Sequence, residues 1–323
     1  MKVLYSITMN FKKSVLIILY SFGIIVLSSS ESAMAYKFQK PTLRKIVIDA
    51  GHGGDDGGAP GKYSNEKDIS LSVALKLGEL LTTALPDVEV VYTRTTDIFQ
   101  HPVIKANIAN AAKGDLFVSI HCNSAKGVRH SEFIGYKTET YYKGKGKKRK
   151  KYTRRVKSYR YWYSPSPAKG TETYIWGAHK NDLKEKAMAE NEALYLDSSM
   201  IDAVKDFDPN SPEKMILYSL KTKQYFNRST NLALTIEDEF SKVGRVSREA
   251  RQRQIGIWVL QAVAMPAVLI ETGFISNPEE EDYLNSEAGQ KEIVESIARA
   301  LVRYKYSLEN LQIDSRTSNI KKK

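Results

Sequence analysis

Two histidines and a glutamate stand beside the ends of readable strands or helices in this sequence. They are His52 in Ile-Asp-Ala-Gly-His-Gly-Gly, Glu66 in Asn-Glu-Lys-Asp and His121 in Val-Ser-Ile-His-Cys-Asn-Ser. Two imidazoles and one carboxylate supply three zinc ligands and leave a fourth tetrahedral position for water, the arrangement of a catalytic rather than a structural site. The set reads as a metallohydrolase with one zinc ion per chain. Histidines at strand ends are held by a rigid sheet and lose little freedom on binding a metal. From spacing alone Glu66 is an acidic residue complementing a helix N-terminus. The glycine-rich connection from Gly53 to Gly61 supplies the alternative, because it lets the backbone turn tightly enough for Glu66 to approach His52. The other histidines, His101, His130 and His179, sit in loop-like or polar surroundings and receive no metal role.

Hydrolysis also needs a group that takes a proton from water and returns it to the leaving nitrogen. Glu271 is the candidate acid/base, since it closes the apolar run Ala-Val-Leu-Ile-Glu just before Thr-Gly-Phe and so puts an ionisable group where a strand meets a loop. A satisfied strand-end carboxylate is the other reading of the same residue.

The elements that must position these residues follow from periodicity. Residues 45–50 form a β-branched run into Gly-His-Gly-Gly, residues 69–85 carry apolar positions near helical spacing up to Pro86, and residues 88–93, 103–112 and 115–121 continue as strand, helix and strand. This β-α-β-α-β order predicts an α/β fold: a mostly parallel twisted sheet flanked by helices on both faces. Residues 171–176 and 267–271 read as further strands, and 184–195, 213–240 and 247–261 as helical stretches. A last helix over 290–306 places Ile293, Ile297, Leu301 and Tyr304 on one face.

Between Gly127 and Gly170 the pattern breaks into a run of lysines and arginines interleaved with Tyr152, Tyr159, Tyr161, Trp162 and Tyr163. Composition predicts a solvated, mobile loop, while the aromatic residues offer rings that could stack on sugars or bases. The tail after Leu311 is polar and reads as frayed.

The chain has 323 residues, a net charge of +12 and one cysteine, Cys122. No intramolecular disulfide can form, so stability rests on packing and metal. Cys122 follows His121 on a strand and is expected on the opposite face, as a small buried apolar residue. At the N-terminus, Lys12 and Lys13 precede the apolar run from Val15 to Leu27, and Ala33-Met34-Ala35 follows, the order of a secretory signal peptide. The run is shorter than a membrane span, so residues 1–35 read as a cleaved leader with no stable membrane anchor afterwards. Export places the chain in the periplasm or outside the cell. The positive charge suits polyanions such as wall polymers and lipid headgroups, and the leader argues against nucleic acid.

These residues closely resemble the zinc-dependent N-acetylmuramoyl-L-alanine amidases of the amidase_3 family. The matching blocks are Ile48 to Gly54, Asn65 to Asp68, Thr93 to Thr95, Asp115 to Asn123, Gly170 to Thr173 and Val268 to Asn277, in family order. The resemblance implies zinc held by His52, Glu66 and His121, with Glu271 as acid/base. Asn123 and Arg94 lie in the same blocks and are expected at the substrate. The implied substrate is peptidoglycan, at the amide joining the lactyl group of N-acetylmuramic acid to L-alanine. A zinc peptidase cutting within the stem peptide, or a non-catalytic wall-binding protein, are the competing readings.

Phe240 to Arg248 and Ile257 to Pro266 resemble the septal, daughter-cell-separating branch. That likeness implies an inserted helix covering the zinc until an activator with a LytM-type domain displaces it. Here the insertion would fall within residues 178–217, with Glu190 or Glu192 filling zinc's open position; an ordinary packed helix is the alternative. The chain departs from the family at Lys105, where arginine is common, and at Gly57, where proline is common. The expected organisation is a leader (1–35), a linker (36–44), one catalytic domain (45–309) with a basic insertion at 127–170, and a basic polar tail (310–323).

Overall fold

A computed structural model describes residues 43–195, 212–253 and 256–320, without the side chains of 190–195, 213 and 310–320. The expected leader and all of the linker but Leu43 and Arg44 lie outside those residues. Leu43, placed in the linker by sequence, is buried in the core.

The central sheet has six strands in the order β2-β1-β3-β8-β6-β7. These are β1 (Lys45–Ala50), β2 (Glu89–Tyr92), β3 (Leu116–Asn123), β6 (Thr171–Ile175), β7 (Ser247–Gln252) and β8 (Ala267–Phe274). β2, β1, β3 and β8 run parallel; β6 is antiparallel to β8, and β7 runs parallel to β6. β1, β3 and β8 are central and buried on both faces, which is why they read as nearly continuous apolar runs.

Helices cover both faces, as expected. On one face Ile46, Ile48, Val118, Ile120, Val268 and Ile270 meet three helices, α1 (Glu66–Ala84), α4 (Pro212–Lys242) and α7 (Glu287–Ile320). α1 contributes Ile69, Val73, Leu77 and Leu81; α4 contributes Leu232, Ile236 and Phe240; α7 contributes Ile293, Ile297 and Leu301. On the other face Val47, Phe117, Ala267 and Leu269 meet α2 (Pro102–Ala111) and the short α5 (Trp258–Ala262). α3 (Asn181–Tyr195) lies beside α5 and is tied to it by Lys184, a fully buried lysine whose Nζ donates to the Leu260 carbonyl at 2.9 Å. Burial holds that amine's pKa well below the ordinary lysine value.

Three expectations are corrected. Residues 247–261 are not one helix: Ser247–Gln252 is the edge strand β7, and only Trp258–Ala262 is helical. β7 offers no apolar stripe to bury, and an edge strand needs none: its backbone pairs with β6, while Arg248 and Arg251 reach the buried Glu172. The basic insertion is not a mobile loop but a two-stranded ribbon, β4 (Val128–Lys143) with β5 (Lys150–Ser164), in antiparallel register. Cross-strand ring and guanidinium contacts hold it in place of a hydrophobic core. α7 runs past Tyr306 to Ile320, through backbone that composition marked as frayed, since no glycine or proline after Gly289 interrupts it.

Candidate metal centre and active site

The site lies at the carboxyl ends of the parallel strands, where open α/β sheets present ligands. β1 ends at Ala50 and turns through Gly51 into His52, whose φ of 57° is a left-handed conformation unusual for a residue with a side chain. His121 is on β3, in register with Glu271 on β8, which in turn faces Glu172 on β6. Alternation puts these three side chains on one face of the sheet, and it sends Cys122 into the opposite core as expected.

Glu66 opens α1. Its Oε1 stands 2.7 Å from His121 Nδ1 and 3.2 Å from His52 Nε2, and also accepts from the Cys122 amide at 3.1 Å. Its Oε2 accepts from the Ala59 amide at 2.8 Å. The loop between His52 and Glu66 is pinned at its far end by Glu281, on α6 (Pro278–Asn285), which accepts from the amides of Lys62, Tyr63 and Ser64. Gly58, at φ 68°, lies so close that a Cβ there would stand 2.6 Å from the His52 ring and 2.7 Å from Glu66 Oε2. Gly51 backs the other imidazole, a Cβ there falling 2.5 Å from His121 Cε1. Both glycines are required by this approach of backbone to ring.

His52, Glu66 and His121 therefore converge, each with one donor atom, all three atoms within 4.8 Å of one another. Donors about 2.0–2.2 Å from one zinc ion have to gather at this range, and two imidazoles with one carboxylate are a donor set that zinc accepts. Asp56 Oδ2 lies 2.8 Å from His52 Nδ1, fixing the ring so that Nε2 faces Glu66, the orienting contact usual behind metal-binding histidines. Burial pushes the Glu66 carboxyl up, but hydrogen bonds and charges from His121 and His52 outweigh it and hold the group well below the ordinary range.

Glu271 is buried, and its Oε2 has no hydrogen-bond partner among the described residues. Its other oxygen is 3.6 Å from the Arg253 guanidinium. Burial raises its pKa to about 7, with His121 and Arg253 opposing and Glu66 and Glu172 assisting. A carboxyl poised there, beside three converging ligands, has the properties of a group that moves a proton.

The other expected site residues fall differently. Asn123 is at the site, donating to Glu172 Oε2 at 2.7 Å. Arg94 is not exposed to a substrate: it is buried, and its guanidinium donates to the carbonyls of Ala50, Gly51, Thr96 and Lys67, tying the His52 loop to the start of α1. Arginine in a block that resembles the family's reads as an anion binder, but its fork serves equally to gather carbonyls. Glu190 and Glu192 fall on α3, and their side chains lie outside the described residues.

Sequence reading passed over Glu172, which gathers Asn123, the Tyr174 hydroxyl and the Arg248 Nε, each at 2.7 Å. The signal was present, as a lone acid in the wholly buried strand Thr171–Ile175. Arg253 carried no such signal.

Beneath the site Asp49 accepts from Thr93 and Ser119, each at 2.6 Å, and pairs with Lys105 at 2.9 Å. Lys105 also donates to the Ala50 carbonyl at 2.6 Å, so at this position the lysine's length serves where arginine is common. Burial raises the Asp49 carboxyl, but Lys105, His121 and the two hydroxyls together hold it below the ordinary value. Lys105→Met strands a buried carboxylate and is expected to cost about 3 kcal/mol, read from the denaturant midpoint at pH 7. Because a depressed carboxyl contributes stability above its unfolded pKa and loses it as pH falls through the folded one, the gap between the two proteins should narrow in acid.

An open, mostly parallel sheet with helices on both faces, carrying a His-Glu-His donor set and a buried glutamate at its carboxyl edge, defines an α/β protein built around a candidate metal centre. Residues 46–303 match the Amidase_3 family, described as N-acetylmuramoyl-L-alanine amidase. The chain belongs to that family.

Among its relatives, N-acetylmuramoyl-L-alanine amidase AmiC of Escherichia coli O6:H1 is 29% identical over 262 residues, a match spanning 80% of this chain and 52% of the relative. A putative N-acetylmuramoyl-L-alanine amidase of Buchnera aphidicola subsp. Baizongia pistaciae is 29% identical over 260 residues, spanning 80% and 95%. The chain thus spans about half the length of the AmiC relative. In fold it is similar to the crystal structure of N-acetylmuramoyl-L-alanine amidase from Clostridium difficile 630, with a TM-score of 0.50 at 24% identity over 81% of this chain and 97% of the other.

Proposed function

We propose that this chain is a zinc-dependent amidase of peptidoglycan, cleaving the amide between the lactyl group of N-acetylmuramic acid and L-alanine, in wall remodelling and daughter-cell separation. The observation that carries the reading is the convergence of His52, Glu66 and His121 with Glu271 one strand away. His52, Glu66 and His121 would hold the zinc ion, which would supply Lewis acidity toward the scissile carbonyl and the attacking water. Glu271 takes the proton of that water and delivers it to the L-alanine nitrogen as the C–N bond breaks, leaving a lactyl carboxylate and a free amine. Asp56 keeps His52 turned toward the ligand cluster, and Glu172 holds Asn123 at the rim.

The family description and the names of the relatives support the amide as the bond cut. Digesting purified sacculi with the zinc-loaded chain and weighing the fragments tests this. Intact stem peptides with free L-alanine amines are expected; shortened stems would indicate a peptidase, and no fragments a wall-binding protein.

Export rests on the leader read in residues 1–35, and the periplasm is the compartment that suits the substrate. Among the described residues no helix is long and apolar enough to cross a membrane. Control by a LytM-type activator extends the same reading to residues 178–217. A variant lacking residues 180–211 is then expected to exceed the full chain in activity on sacculi, and equal activity would remove the autoinhibitory role.

A further inference from the structure

The β4–β5 ribbon is the largest feature that the proposed chemistry leaves unused. It leaves the sheet directly after Asn123 and returns just before Glu172, so its root is at the rim of the site. Both strands are exposed along their length. At about 3.4 Å per residue they project roughly 50 Å.

Register divides the ribbon into two unlike faces. Its only carboxylates, Glu132 and Glu139, lie opposite Arg160 and Arg154 on one face, and Glu139 is bound by Arg154 at 2.7 Å. The other face carries no acid. There Phe133 pairs with Tyr159, Ser131 with Tyr161 and Arg129 with Tyr163. Beyond the irregularity at Ile134, Tyr136 pairs with Lys157, Thr138 with Arg155 and Tyr142 with Lys151.

On this acid-free face the rings form a track. Centroids of Phe133 and Tyr136 are 5.3 Å apart, Phe133 and Tyr159 5.8 Å, and Tyr159 and Tyr161 6.3 Å. Guanidinium groups are interleaved: Arg129 sits 4.0 Å over the Tyr161 ring and Arg155 4.6 Å over Tyr136. Aromatic faces spaced along a line meet the C–H faces of successive sugar rings, and the cations between them meet carboxylates. The ribbon tip, Gly144 to Arg149, contains only glycine, lysine and arginine, with no apolar side chain to enter a bilayer.

We propose that the acid-free face of the β4–β5 ribbon is a second binding site for the wall polymer, a glycan strand whose attached peptides end in carboxylates, which it grips beside the site where the chain is cut. This rests on the amidase reading. The ribbon would hold the polymer, and the site would receive the peptide stem next to it.

The test uses the full chain made inactive by E271Q and measures its binding to purified sacculi by co-sedimentation. Y136S/Y159S/Y161S, which removes rings, is expected to weaken binding roughly tenfold or more, and K151Q/K157Q, which keeps every ring, by roughly threefold. K137Q/K150Q removes equal charge from the opposite face and should bind as the parent. Parental binding by the ring variant, or equal losses from the two charge variants, would overturn the assignment. So would ring-dependent binding to phosphatidylglycerol vesicles without binding to sacculi.

In the otherwise active chain, the ring variant should cleave a soluble muramoyl peptide at the parental rate while its KM for sacculi rises roughly tenfold. If the unmutated chain leaves the soluble substrate uncut, the amidase reading fails. If it cuts that substrate and the ring variant binds sacculi normally, the ribbon inference fails alone.

Discussion

Removing zinc with a chelator is expected to bring amide cleavage to background, and adding zinc back to restore it. His52→Ala, Glu66→Ala or His121→Ala should do the same without restoration. The three side chains have no redundancy, because each contributes one donor to a cluster only 4.8 Å across. Glu66→Ala should be the most damaging to metal content, since this carboxylate lies within 3.2 Å of both imidazoles and orders the amides of Ala59 and Cys122. Metal content by atomic emission should read one zinc per parent chain and a small fraction of that in each variant. Full activity with less than a tenth of the zinc would remove the metal from the reaction. Metal uptake should also depend on pH. In the metal-free chain burial lowers the His52 pKa, but hydrogen bonds and charges from Glu66 and Asp56 outweigh it and raise the group to about 9. At pH 7 the ring therefore holds a proton that zinc must displace, so affinity should rise with pH toward that value and binding should release acid.

Most of this centre was legible because the central strands are buried on both faces. β1, β3 and β8 read as apolar runs, and a charged or imidazole side chain at the end of such a run stands out as a residue placed there for chemistry. Glu66 is less legible: an acid at a helix start has an ordinary explanation, the glycine-rich connection from Gly53 to Gly61 only permits its approach to His52, and what fixes that approach is the course of a loop pinned by Glu281, more than 200 residues away in the chain. Glu172 was missed for a similar reason. It is a lone acid in the buried strand Thr171–Ile175, and the partners that define its role, Asn123 and Arg248, come from other strands of the sheet.

The ribbon and β7 escaped because neither has a hydrophobic face. Periodicity reports burial against a core, whereas β4–β5 is held by pairing across its own two strands and β7 by the backbone of β6. Arg94 shows the limit from the other side: it stands in a recognisable block, but its side-chain role depends on which carbonyls the fold brings within reach.

Glu271→Gln should lower turnover by about 10³-fold while leaving zinc content unchanged, the size of effect that a positioned general acid/base supplies. Glutamine keeps the shape and removes both the base and the proton it would return. A structural carboxylate predicts something different, because a buried oxygen without a partner gains from losing its charge; in that case Glu271→Gln would be active and more stable. Thermal stability and turnover measured together thus separate the two roles. The pH profile adds a third constraint. Burial, with Glu66 and Glu172 assisting against His121 and Arg253, raises Glu271 to about 7 before any metal is bound, and a dication beside it draws that value down. A base works only when ionised, so kcat/KM should climb with pH through an acid limb below that value. Arg253 is the cation facing Glu271 from outside the ligand cluster, at 3.6 Å. Arg253→Met should therefore move the acid limb upward while sparing zinc content, and an acid limb that stays in place would detach Glu271 from the proton transfer it reports.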